Sequence, residues 1–132
     1  MTRLTRVSCI GILFALLLVV PGVGAAAQVA TYTKQAFLDA QTAGKPIIVF
    51  VTASWCPNCR KQQPIVDELA REKAFADAVV FVIDYDSSKD ALRDLNVQMQ
   101  STLIAFKGRT ERMRSTAVTD PVAVRALFQS AL

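Results

Sequence analysis

The sequence predicts an α/β fold in which helices cover both faces of a central mixed sheet. Two uninterrupted β-branched and aromatic runs, 46–51 and 79–83, read as strands covered on both faces. Helical patterns alternate with these runs, as a layered α/β domain requires. From Gln28 onward the chain has 105 residues, 51 of them apolar, which is one ordinary domain able to bury a core.

Thr33 suits the N-cap of a first helix over 34–43, with Phe37, Leu38 and Ala40 apolar and Gly44 as its stop. The strand 46–51 follows. A helix over about 59–73 comes next, with Ile65, Val66, Leu69 and Ala70 on one stripe and Pro64 placed to kink it. After the strand 79–83, Asp86, Ser87 and Ser88 mark the start of a helix over 89–95. A third strand over 102–106 turns at Lys107, Gly108 and Arg109 into a short edge strand over 111–115. Asp120 and Pro121 open the last helix, with proline at the first helical position. The expected order is α-β-α-β-α-β-β-α.

Residues 1–27 read as a secretory leader. Arg3 and Arg6 form a basic start, Val7 to Val20 is free of charge, and Ala25 and Ala27 fit an A-x-A cleavage pattern. Pro21 and Gly22 interrupt an apolar run already shorter than the roughly 20 residues of a spanning helix. Cleavage after Ala27 is expected, giving a periplasmic or otherwise exported domain over 28–132. An uncleaved membrane anchor is the alternative. Cys9 lies at the start of the uncharged run rather than after it and is expected to leave with the leader.

The folded part carries 13 basic and 11 acidic residues, so the high pI overstates its basicity. Arg109, Arg112 and Arg114 lack interleaved aromatics and read as a solvated strand face, so no nucleic-acid partner is expected.

The chemistry concentrates at Trp55-Cys56-Pro57-Asn58-Cys59, where a buried strand meets a helix. A helix N-terminus offers unpaired N–H groups and partial positive charge, which favour a thiolate at Cys56. Cys56 is expected to be the exposed thiol of lower pKa, and Cys59 stands close enough to attack a mixed disulfide. Pro57 suits the first helical turn. A structural zinc site needs four ligands, but the chain has no histidine and no second cysteine pair, so no metal is expected.

Residues 47–64 resemble the active-site strand and helix of the thioredoxin superfamily, with Pro64 five residues after the second cysteine. The order of elements and the segment 102–108 extend the similarity over nearly all of 32–132. The resemblance implies a thioredoxin-like fold and dithiol–disulfide exchange, Cys56 attacking and Cys59 resolving. It also implies substrate-binding roles for Trp55, Pro57, Asn58, Ser101 and Thr102.

Three positions depart from the family pattern. Ser101 stands where thioredoxins place a cis-proline, and a cis bond before a non-proline residue costs about 3–4 kcal/mol, so a trans peptide is expected. Phe50 replaces the usual buried acid, and Val82 aligns with its lysine partner. The dipeptide Pro57-Asn58 adds no charge beside the sulfurs, although Asn58 can donate a hydrogen bond to one of them.

An exported thiol–disulfide oxidoreductase acting on protein thiols and disulfides is therefore expected, as a monomer without a cofactor. No flavin or nicotinamide motif is present, so electrons must come from or pass to a partner, a membrane redox protein for a reductase. The competing reading is a non-enzymatic client-binding module with a resting disulfide.

Overall fold

The computed structural model describes residues 25–132. The expected leader, apart from Ala25, Ala26 and Ala27, lies outside the described residues. Five strands form one sheet in the order β1-β3-β2-β4-β5. They are β1 (Gln28–Thr31), β2 (Pro46–Thr52), β3 (Val79–Asp84), β4 (Thr102–Lys107) and β5 (Thr110–Thr116). The helices are α1 (Lys34–Thr42), α2 (Pro57–Arg71), α3 (Lys89–Asp94) and α4 (Pro121–Ser130).

The sheet is mixed as expected. β3 pairs in parallel with β1 and β2, whereas β4 runs antiparallel to both β2 and β5. One element was not foreseen: β1 precedes the first helix and adds a strand beside β3. Its four residues are largely exposed and lack an apolar run, so the pairing is a backbone event. α2 ends at Arg71, two residues short of the expected end at Lys73, and a short 3-10 turn over Lys73–Phe75 follows it.

Strand alternation divides the core into two layers. Ile48, Phe50, Val80, Leu103 and Ala105 face α2 and α4, joining Val66, Leu69, Val124, Leu127 and Phe128. Ile47, Val49, Val51, Phe81, Ile83, Ile104 and Phe106 face α1 and α3, joining Phe37, Ala40, Ala91 and Leu92. Central strands buried on both sides explain their unbroken apolar sequences.

Local signals set the helix ends. The Thr33 hydroxyl accepts from the Ala36 N–H at 3.2 Å, and the Asp120 carboxylate accepts from the Ala123 N–H at 2.9 Å. Gly44 follows α1 with φ +69°, a left-handed stop that L side chains resist. α2 continues through Pro64, whose missing N–H withholds one helical bond.

Candidate active site

The central strand β2 delivers the chain to the start of α2, and that junction carries both cysteines. Cys56 is the N-cap of α2, and Pro57 occupies the first helical position. The Cys59 N–H donates to Cys56 Sγ at 3.1 Å, so the sulfur itself caps the helix. Cys56 and Cys59 are joined as a disulfide with their Cα atoms 5.2 Å apart. Asn58 is able to donate to a sulfur, but the bond to Cys56 Sγ comes from the Cys59 backbone.

The expectation of an exposed Cys56 is not met. Cys56 is 1% exposed and Cys59 2%. The reason is geometric: capping turns the Cys56 side chain back over the first helical turn, and the disulfide ties it to the inward face. Both sulfurs therefore belong to the apolar cluster under α2 and α4.

Phe50 lies in that cluster and is fully buried, with Val82 as its neighbour in the β2–β3 register. The floor of the site thus has neither the acid nor the lysine that the family pattern would place there.

Trp55 is 53% exposed, and its indole N–H donates to the Asp86 carboxylate at 2.8 Å. Asp86 was expected only as part of a helix start; its side chain instead steadies the aromatic beside the cysteines. The Asp84 carboxylate organises the same loop, accepting from the Ser87 hydroxyl at 2.7 Å, the Ser87 N–H at 2.8 Å and the Asp86 N–H at 3.1 Å. The bonds from Ser87 hold the Asp84 carboxyl below its ordinary range.

Ser101 and Thr102 lie where the loop before β4 meets the end of β2. The Ser101 N–H donates to the Val51 carbonyl at 2.8 Å, which sets the loop before β4 against the end of β2. No peptide bond among the described residues is cis, so the trans peptide expected before Ser101 is found. Ser101 adopts φ +61° instead. The Thr102 hydroxyl donates to the Met99 carbonyl at 2.8 Å. Both residues are buried, so the accessible part of this face is Met99 rather than their side chains.

Sequence reading passed over Gln62. It is completely buried and its amide bonds Ser101 and Val118. The available signal was a polar residue at a stripe position between Cys59 and Val66.

Comparison with known proteins agrees with this geometry. The family profile described as Thioredoxin matches residues 28–128. A thioredoxin of Mycobacterium tuberculosis H37Rv is 35% identical over 69 residues, which are 52% of this chain and 59% of that protein. A Fagopyrum esculentum thioredoxin H-type is 37% identical over 71 residues, 54% of this chain and 60% of the relative. The chain thus spans about 60% of the length of the curated relatives it matches. Among solved structures, Trxlp from Edwardsiella tarda EIB202 is 38% identical with a TM-score of 0.73, over 76% of this chain and 98% of that one. Oxidised thioredoxin O2 of Arabidopsis thaliana shares the fold at 24% identity and a TM-score of 0.66, over 80% of this chain and 93% of that one.

Proposed function

The chain belongs to the thioredoxin family, and on that premise we propose that it exchanges disulfides with protein substrates through Cys56 and Cys59. The observation that carries the proposal is the disulfide at the N-terminus of α2, with Cys56 Sγ accepting the Cys59 N–H. A backbone donor aimed at this sulfur favours its thiolate once the disulfide opens.

In the reducing direction, the Cys56 thiolate attacks one sulfur of a substrate disulfide. A mixed disulfide forms and the other substrate sulfur leaves as a thiolate. Cys59 loses its proton and attacks Cys56 Sγ, releasing the second substrate thiolate and restoring the Cys56–Cys59 bond. Two electrons pass from the cysteine pair to the substrate. Oxidation of a substrate dithiol runs the same steps in reverse.

Export rests on the leader pattern of residues 1–27, and a periplasmic compartment would keep the pair under oxidising conditions. A membrane redox partner follows for the reducing direction, because the compartment would otherwise drain electrons from the pair.

Burial of both sulfurs favours one competing reading, a client-binding module whose disulfide stays closed. Dithiothreitol-driven insulin reduction decides between them. The wild type should precipitate the insulin B chain and Cys56→Ser should not, while equal rates would overturn the redox reading. Cys59→Ser should accumulate substrates linked to Cys56.

A further inference from the structure

Gln62 lies on the same face of α2 as Cys59, one turn further along, and every polar atom of its amide is engaged. Oε1 accepts the Ser101 hydroxyl at 2.9 Å, while Nε2 donates to the Ser101 carbonyl at 3.3 Å and the Val118 carbonyl at 2.7 Å. A buried amide is tolerated when its bonds are made and costly when they are not.

The backbone that Gln62 grips is held in an uncommon shape. Ser101 and Ala117 both have φ near +61°, a region that residues with a Cβ seldom occupy. They flank the Thr102–Thr116 pair that ends the β4–β5 ladder, and the Ala117 N–H donates to the Ser101 carbonyl at 2.9 Å. Such conformations persist only where surrounding contacts over-determine them. Gln62 supplies the contacts that reach across from α2.

The loop held in this way is tied to the end of β2, the strand that leads into the site. Ser101 is bonded to Val51, five residues before Cys56. Met99, two residues earlier, is half exposed. Residues 96–98 form the wall between a hollow of about 370 Å³ beside Tyr85 and Lys89 and another of about 190 Å³ beside Met99 and Arg114.

Resting on the oxidoreductase reading above, we propose that Gln62 is a positioning residue for protein substrates. Fixed one turn beyond Cys59, its amide latches the loop before β4 and so sets where an incoming polypeptide meets Cys56. A small disulfide needs no docking surface and is indifferent to the latch.

The test compares Gln62→Leu and the more flexible Gln62→Met with wild type in the full chain. Insulin and hydroxyethyl disulfide are the substrates. The expected result is a loss in kcat/KM toward insulin of about tenfold or more, carried by KM, because all three bonds of the amide are lost and one alone is worth about three- to tenfold. The rate with hydroxyethyl disulfide and the glutathione equilibrium should not move. Amide exchange at Ser101 and Ala117 should quicken while that of β2 stays slow. Adding Ser101→Gly, which keeps the left-handed turn but removes the hydroxyl, should cost no more toward insulin than the worse single change.

Unchanged insulin kinetics in both Gln62 variants, an equal loss with hydroxyethyl disulfide, or additive losses in the double variant would overturn the latch alone. A wild type inert toward insulin would overturn the latch and the oxidoreductase reading together.

Discussion

Phe50 and Val82 stand side by side in the β2–β3 register, and Phe50 packs in the same buried cluster as Cys56 and Cys59. Cys59, proposed above as the resolving cysteine, therefore lies over an apolar floor in which Phe50 supplies no proton acceptor. Mixed disulfides should live longer here than above a buried carboxylate. Phe50→Asp should shorten their lifetime about a hundredfold, at the lower end of what general bases supply. It should also destabilise the fold by about 3–5 kcal/mol, because a full aromatic is lost from the core. Phe50→Asn serves as the control, destabilising without supplying a base. Equal mixed-disulfide decay in the Asp and Asn variants would refute the missing-base argument.

The redox potential should be intermediate. Helix N-terminal placement and the Cys59 N–H stabilise the Cys56 thiolate, which pushes toward an oxidant. Pro57-Asn58 brings no charge to extend that push. Glutathione equilibration should give a value between about −150 and −250 mV. A value below thioredoxin's would show that something else stabilises the disulfide.

Burial of the disulfide does not reverse the cysteine order. Only Cys56 has its sulfur at the helix N-cap, so iodoacetamide should alkylate Cys56 first in the reduced protein. Mass spectrometry of partially alkylated protein reads this directly. Faster labelling of Cys59 would reverse the assignment of attacking and resolving roles.

Asp86→Ala should free the indole of Trp55 from its only side-chain anchor among the described residues. Trp55 is the single tryptophan, so its fluorescence reports the change without interference. KM for insulin should rise about two- to fivefold, less than a lost buried hydrogen bond would give, because the contact is exposed. Asp86→Asn keeps an acceptor and should retain most of the wild-type behaviour.

Glu72, at the end of α2, forms a double hydrogen bond with Arg125 of α4 at 2.5 and 2.7 Å. That bond holds the Glu72 carboxyl below its ordinary value of 4.5, against a smaller opposing effect of burial. The folded value lies below the unfolded one, so this stabilisation is present above the unfolded value. It disappears as pH falls through the folded one. Glu72→Gln should lower the melting temperature slightly at pH 7, and the difference should vanish well below pH 4. A difference that persists in acid would mean that Glu72 acts through packing instead.

The parts legible in sequence were those that periodicity and punctuation encode. Ile47, Val49 and Phe50 announced a doubly covered strand, Thr33 and Asp120 announced their helices, and Cys56 followed by Pro57 announced the reactive helix start. The rest depends on through-space pairing. β1 carries little side-chain signal because its stability comes from the β3 backbone. Gln62 looks like a solvent residue until its partners 39 and 56 positions away are in place. The burial of Cys56 depends on a cap that folds the sulfur inward, a matter of rotamer rather than of residue type.

The way β1 is anchored also fixes an order of events. The Ala27 N–H donates to the Ala70 carbonyl at 2.7 Å and the Gln28 N–H to the Ala78 carbonyl at 3.0 Å, so the Ala27–Gln28 peptide is stitched to the domain on both sides. A peptidase must draw an extended segment into its cleft before it can cut. Here that would mean peeling the first strand from the sheet. The scission proposed for this bond would therefore have to precede folding, and a domain that closes early would shield the bond.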